Sequence, residues 1–232
     1  MSEQTQQKTS SNRLLLIVIL VVMMIVTTGV MFLVFSSLIA PPSTVNTGAA
    51  VVDSGAAFSG AREINPPRTI NDFTLTSHTG EPMSLSDLHG KATLLYFGYT
   101  NCPDVCPITL SEYRRVKQGL GDDADAVNFV MVSVDPKRDT PERLASYLGN
   151  FDSVFIGMTG EDGTLRRISV DFDLFYEIHD DGTDNYLVDH TASLFLLNPD
   201  GELVTIFTFG TEPEVIIENV QAHLELASAS AG

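Results

Sequence analysis

Cysteine is scarce in this chain: 232 residues hold two, Cys102 and Cys106. Any internal pairing therefore has a single solution, and a peroxidase that needs a separately placed resolving cysteine lacks one. No cysteine lies in or near the apolar segment close to the N-terminus, which excludes acylation on a lipobox cysteine. Basic residues are few as well. Beyond residue 40 there are 11 against 29 acidic ones, a formal net charge of −18. Phosphate neutralisation needs Lys and Arg, so nucleic acid is excluded as a partner. The acidic balance gives a well-solvated surface that suits cationic ligands or basic partners. Internal repeats and low-complexity tracts are absent from the folded part.

Charge is missing altogether from Leu14 to Ala40, "LLLIVILVVMMIVTTGVMFLVFSSLIA". A membrane helix needs roughly 20 apolar residues, and this run exceeds that. It is too long for the h-region of a cleaved signal peptide, about 7–15 residues. Pro41 and Pro42 also stand where a small-residue cleavage site would be wanted. The run reads as one uncleaved transmembrane helix, residues 14–40. Lys8 and Arg13 precede it and the next basic residue is Arg62. The positive-inside rule then makes residues 1–13 a cytoplasmic tail of a single-pass cell-membrane protein whose C-terminal domain is extracytoplasmic. Thiols on that side can be oxidised.

Residues 41–66 are rich in Pro, Ser, Thr, Gly and Ala and read as a flexible linker, with the folded domain at 67–232. "DFTLTSHTGEPMSLSDL" alternates about a Thr79-Gly80 turn and predicts an N-terminal β-hairpin. Lys91–Tyr99 and Val127–Asp135 are nearly continuous apolar runs, as in strands buried on both faces. Between them Ile108, Leu110, Val116 and Leu120 keep helical spacing. Thr140-Pro141-Glu142 reads as an N-cap with proline at the first helical position. A short strand, "VFIGMT", and a helix, "DGTLRRISVDF", follow. "TASLFLLNPDGELVTIFTF" is a hairpin turning at Asn198–Gly201, and an amphipathic helix runs from about Glu212 to Leu226. This order predicts an α/β thioredoxin-like fold, a central mixed sheet flanked by helices.

The cysteines lie in "YFGYTNCPDVCPITL", just past a buried strand. Proline suits the first helical position, so Pro107 predicts a helix beginning there, with Cys106 near the N-cap and Cys102–Val105 in a loop. A helix N-terminus favours the thiolate, the form that attacks disulfides and binds soft metals. A structural disulfide over so short a loop is worth roughly 2 kcal/mol, less than longer loops give. Open α/β sheets place ligands at this end of their strands, so a reactive or metal-binding pair is the better reading. C-x3-C has one residue more than C-x2-C redox motifs, and the wider bite eases joint coordination of one ion. Copper(I) and zinc favour sulfur with imidazole.

Of five histidines, His78 and His89 read as exposed turn and loop residues, and His223 as surface or packing. His179 precedes "DDGTD", whose spacing departs from a calcium loop. His190 lies at the mouth of a strand entering the core, in the loop expected to face the first helix. On position alone, ligand and non-ligand roles both stand.

"YFGYTNCPDVCPITL", "SVDPKRDTPERL" and "DHTASLFLLNPDG", in this order across about Asp72 to Leu224, resemble the Sco (SenC) family of membrane-anchored, thioredoxin-like copper proteins. The resemblance implies a Cys2His copper site, carried by Cys102, Cys106 and His190, for Cu(I), Cu(II) or both. It implies a metallochaperone delivering copper to the binuclear site of cytochrome c oxidase subunit II. Alternatively, Cys102 and Cys106 act as the catalytic pair of a thiol–disulfide oxidoreductase that reduces that subunit's cysteines. Other copper chaperones and thiol reductants are implied partners. Asp135 resembles the family's acidic residue near the site, with capping or turn formation as its other reading. Asp189 is the candidate to orient His190, since ligating imidazoles donate their other N–H to a carboxylate or carbonyl.

Overall fold

The computed structural model describes residues 23–29, 31 and 60–230. Residues 23–29 and 31 are helical and belong to a unit, Met1–Ser54, separate from the compact domain Gly55–Gly232. In that helix Thr27 and Thr28 donate their hydroxyls to carbonyls one turn back, which satisfies them without water. No helix among the described residues is long and apolar enough to cross a membrane. The tail at 1–13, most of the anchor at 14–40 and the linker up to residue 59 lie outside the described residues.

The domain is built on an eight-stranded mixed sheet. Its strands are β1 (Ala61–Arg68), β2 (Thr74–Ser77), β3 (Pro82–Ser84), β4 (Ala92–Gly98), β5 (Val127–Ser133), β6 (Ile156–Thr159), β9 (Leu194–Leu197) and β10 (Leu203–Phe207). They lie in the order β1-β10-β9-β4-β5-β6-β2-β3. The pairs β4/β5 and β5/β6 are parallel, and β4/β9, β9/β10, β1/β10, β2/β6 and β2/β3 antiparallel. Two further strands, β7 (Tyr176–Ile178) and β8 (Val188–His190), pair only with each other. The helices are α1 (Val105–Leu120), α2 (Pro141–Gly149), α3 (Asp162–Asp171) and α4 (Pro213–Ser230). The hairpins at Gly80 and Gly201 form as expected, each glycine at φ above +80°, where other residues are strained. Thr140 caps α2 by accepting from Arg143 N, with Pro141 at the first position.

Every residue of β4 is buried. Its alternation sends Tyr96 and Gly98 toward α1, where they approach Cys106, and Phe97 toward Phe172 and Phe195 on the other face. Tyr113 of α1 donates to the Leu94 carbonyl, fixing the helix over the centre of the sheet.

Three expectations shift. The ordered domain begins before residue 67, because β1 takes in Ala61–Pro66 of the supposed linker. Pro66 and Pro67 hide this strand from pattern reading, yet they suit an edge strand with neighbours on one side only. The buried stripe of α1 runs through Cys106, Leu110, Tyr113, Val116 and Leu120, leaving Ile108 41% exposed. And α1 starts at Val105, so Pro107 is its third residue rather than its first. The first four N–H groups of a helix have no partner inside it, so proline forfeits no bond there either.

Candidate metal centre

Parallel strands β4 and β5 end side by side, and the chain leaving β4 turns back into α1 through Tyr99–Asp104. This turn is held from below by a buried carboxylate. Asp139 accepts from Thr100 N (2.9 Å), Thr100 Oγ1 (2.6 Å) and Ser133 Oγ (2.6 Å). Burial raises its pKa, and these hydrogen bonds pull the other way. Arg143 of α2 donates to Thr100 Oγ1 and to the Asn101 side chain, closing the brace.

At the head of α1 the capping role falls to sulfur. Asp104 makes no side-chain cap, while Cys102 Sγ accepts the backbone N–H of Cys106 at 3.4 Å. The two thiols are unequal. Cys106 is fully buried and Cys102 half-buried, and both are free. The hydrogen bond from the Cys106 thiol lowers Cys102 to a pKa of about 3, and His190 and backbone N–H groups add to the effect. The same hydrogen bond and burial push the Cys106 thiol up. One proton is thus shared unequally: Cys102 is the thiolate and Cys106 the thiol. Burial also keeps the Tyr96 hydroxyl protonated, and it donates to Cys106 Sγ at 3.2 Å.

His190 arrives from β8. Its Nε2 lies 3.5 Å from Cys106 Sγ, and its Nδ1 lies 3.1 Å from the Thr191 carbonyl oxygen. A carbonyl only accepts, so Nδ1 carries a proton and is satisfied by the backbone, and it is Nε2 that faces the sulfurs. The rings of Tyr96 and Tyr99 stand edge-on to the imidazole at 6.0 and 5.8 Å. Cys102, Cys106 and His190 thereby bring one donor atom each within 4.8 Å of one another. Two soft sulfurs and one imidazole, with the second ring nitrogen already satisfied, are a donor set that fits a thiophilic transition ion.

The two flanking carboxylates go elsewhere. Asp189 does not orient His190; it is exposed and pairs with His179 Nε2 at 2.8 Å, which raises the His179 pKa. Residues adjacent in a strand point to opposite faces, so the neighbour of an inward histidine faces out. Asp135 is fully buried. It accepts from Tyr186 Oη at 2.6 Å and pairs with Arg138 Nε at 2.5 Å, and no hydrogen bond joins it to the donor set among the described residues. Elsewhere, His78 is half-buried and accepts Gly157 N, and His223 packs beside Thr205, where burial lowers its pKa.

Sequence reading missed Tyr96, Tyr99, Asp139 and Arg138. The tyrosines lay in a run read as plain buried strand, and the two charges in "DPKRDTP" gave no sign of which way they point.

A family model described as SCO1/SenC matches residues 61–225. An SCO2-like protein of Rickettsia conorii is 34% identical over 149 residues, 63% of this chain and 73% of that one. Among solved structures, Bradyrhizobium japonicum ScoI with copper bound is similar at 35% identity and a TM-score of 0.62, over 67% of this chain and 99% of that chain. Apo Sco1 from Thermus thermophilus is similar at 34% identity and a TM-score of 0.64, over 70% of this chain and 95% of that chain.

Proposed function

Because the chain belongs to the SCO1/SenC family, we propose that it is a copper metallochaperone of cytochrome c oxidase assembly. Cys102, Cys106 and His190 hold one copper ion and pass it to the binuclear copper site of subunit II. The observation that carries this is the convergence of the three donor atoms within 4.8 Å. The copper-bound relative from Bradyrhizobium japonicum supports it. Three protein ligands on one side leave the ion open to a partner's ligands, so release proceeds by exchange, one ligand at a time. An oxidised pair cannot bind, which makes the thiol state the gate on loading. Titration of the reduced full-length chain with copper should show one tight site. His190→Ala should weaken it by more than the roughly 10–100-fold typical of outer-shell partners. Equal binding by both chains would remove His190 from the ligand set.

The unequal thiols favour a second reading, thiol–disulfide exchange. The Cys102 thiolate attacks a partner disulfide and releases one partner thiolate. Cys106 then passes its proton to the partner thiolate just released and attacks Cys102 Sγ, releasing the second partner thiolate. Two electrons pass to the partner, and this pair ends oxidised. Turnover of a disulfide substrate by metal-free protein with a thiol reductant supports this reading, and its absence dismisses it.

Residues 14–40 are proposed to anchor the protein in the membrane, with residues 1–13 cytoplasmic and the copper domain outside. The full-length chain should remain in membranes washed at alkaline pH and be released when residues 1–40 are deleted.

A further inference from the structure

Hydrogen bonds of the main sheet do not place His190. Its strand, β8, pairs only with β7, and the two form an arm beside the eight-stranded sheet. At its base the arm is tied by Tyr176 Oη, which donates to Asp162 of α3 at 2.8 Å. The strand that carries His190 is gripped at a different point. Arg138 Nη1 donates to the carbonyl oxygens of Tyr186 at 2.8 Å and Asp184 at 3.1 Å, just before β8. The Arg138 guanidinium lies 3.5 Å over the Tyr186 ring, and its Nε pairs with the buried Asp135. Tyr186 Oη returns to the same carboxylate. One turn of strand further on, Val188 N donates to Tyr99 Oη, whose ring stands against His190.

We propose that Arg138, clamped on Asp135, is the positioning residue that latches the β7–β8 arm so that His190 meets the two sulfurs. The proposal rests on the reading of His190 as a copper ligand. Tyr186, two residues before β8, and Val188 and His190 within it are turned inward, while Leu187 and Asp189 between them are exposed. Fixing Tyr186 and Val188 therefore fixes the direction of the imidazole. The guanidinium suits the task because it is planar, with separate donors for the carboxylate and for two carbonyls and a face for the tyrosine ring. Lysine offers charge but no such fork. The latch also explains a buried carboxylate so near the site with no bond to a donor atom: Asp135 neutralises and aims the arginine.

Removing Arg138 alone strands the buried Asp135 and risks misfolding, so the test removes both charges. Copper affinity, read by competition with a chelator, is compared in four full-length chains: wild type, His190→Ala, Asp135→Asn/Arg138→Met, and all three changes together. A latch acting through His190 predicts about tenfold weaker binding in the wild-type background. With His190 already gone, the latch changes should alter affinity by less than about twofold. Equal losses in both backgrounds, or none in either, overturn the proposal. So does an Arg138→Lys chain that keeps wild-type affinity. If wild type and His190→Ala bind copper equally, the ligand reading falls, and the latch is judged in metal-free protein by amide exchange at Val188. Faster exchange in the latch variant upholds it, and unchanged exchange overturns it.

Discussion

Iodoacetamide added to the reduced, metal-free chain at pH 5 is expected to modify Cys102 and leave Cys106 untouched. The direction follows from how the pair divides one proton. Cys102 is lowered to a pKa of about 3 by the thiol of Cys106, helped by His190 and the N–H groups at the head of α1, while Cys106 is raised. A group lowered this far loses its charge only as pH falls through about 3, so the Cys102 rate should be nearly flat from pH 5 to 8. An ordinary cysteine at pH 5 is thiolate to only about one part in several thousand. Cys102 therefore gains about three and a half powers of ten in thiolate population at that pH. A weakly basic thiolate is also a poorer nucleophile, with a Brønsted slope of about 0.4–0.5, which takes back roughly two to three powers of ten. Cys102 should thus react roughly tenfold faster than a free cysteine at pH 5 and tens of times slower at pH 8, the curves crossing near about pH 6. Cys106, fully buried, should not react at either pH in the folded chain. Peptide mass spectrometry across this range measures both. A Cys102 rate climbing tenfold per pH unit from 6 to 8 would show an ordinary thiol and refute the asymmetry.

The same asymmetry marks where sequence reading reaches its limit. That Cys102 and Cys106 sit together at the head of a helix follows from local rules: a buried apolar run, a loop, and a proline tolerated only in the first turn. Which of the two is buried depends on Tyr96, ten residues back, whose ring reaches Cys106 only because β4 and α1 pack face to face. The alternation that locates Thr74–Ser77 and the apolar run before a turn that locates Leu194–Leu197 are likewise local, whereas β1 is held mainly by its partner β10, more than a hundred residues away. His190 was legible as a residue at the mouth of a strand. Its arm was not, since β7 and β8 are three residues each and too short to show a period. Asp189 neighbours His190 in sequence and not in space, because adjacent residues of a strand face opposite ways. Three of the four charges of "DPKRDTP" form two devices: Asp139 braces the cysteine loop, and Asp135 with Arg138 holds the histidine arm.

A methyl group at residue 98 should disable the site from inside the sheet. Gly98 is the last residue of β4 and shares a face with Tyr96 and Cys106. A Cβ there would stand 2.5 Å from Tyr96 Cε1 and 3.1 Å from Cys106 Sγ. Neither neighbour can retreat cheaply. The Tyr96 ring is fully buried, and Cys106 is fixed in the first turn of α1. The backbone is also pinned, because the Gly98 carbonyl accepts Val134 N at 2.9 Å. Gly98→Ala should therefore cost about 1–3 kcal/mol through overpacking. For a domain of this size that lowers the melting temperature by roughly 2–10 °C. The ring tilt that relieves the clash breaks the hydrogen bond from Tyr96 Oη to Cys106 Sγ and displaces the sulfur from His190. Copper affinity should accordingly fall by about tenfold or more, the scale on which outer-shell partners act. Gly119→Ala supplies the comparison, since its Cβ meets only the side-chain tip of Ile217, away from the three donors. It should leave copper affinity unchanged whatever it does to the melting temperature. A Gly98→Ala chain that melts and binds copper like wild type would mean that the close packing of Gly98, Tyr96 and Cys106 does not hold the metal centre in shape.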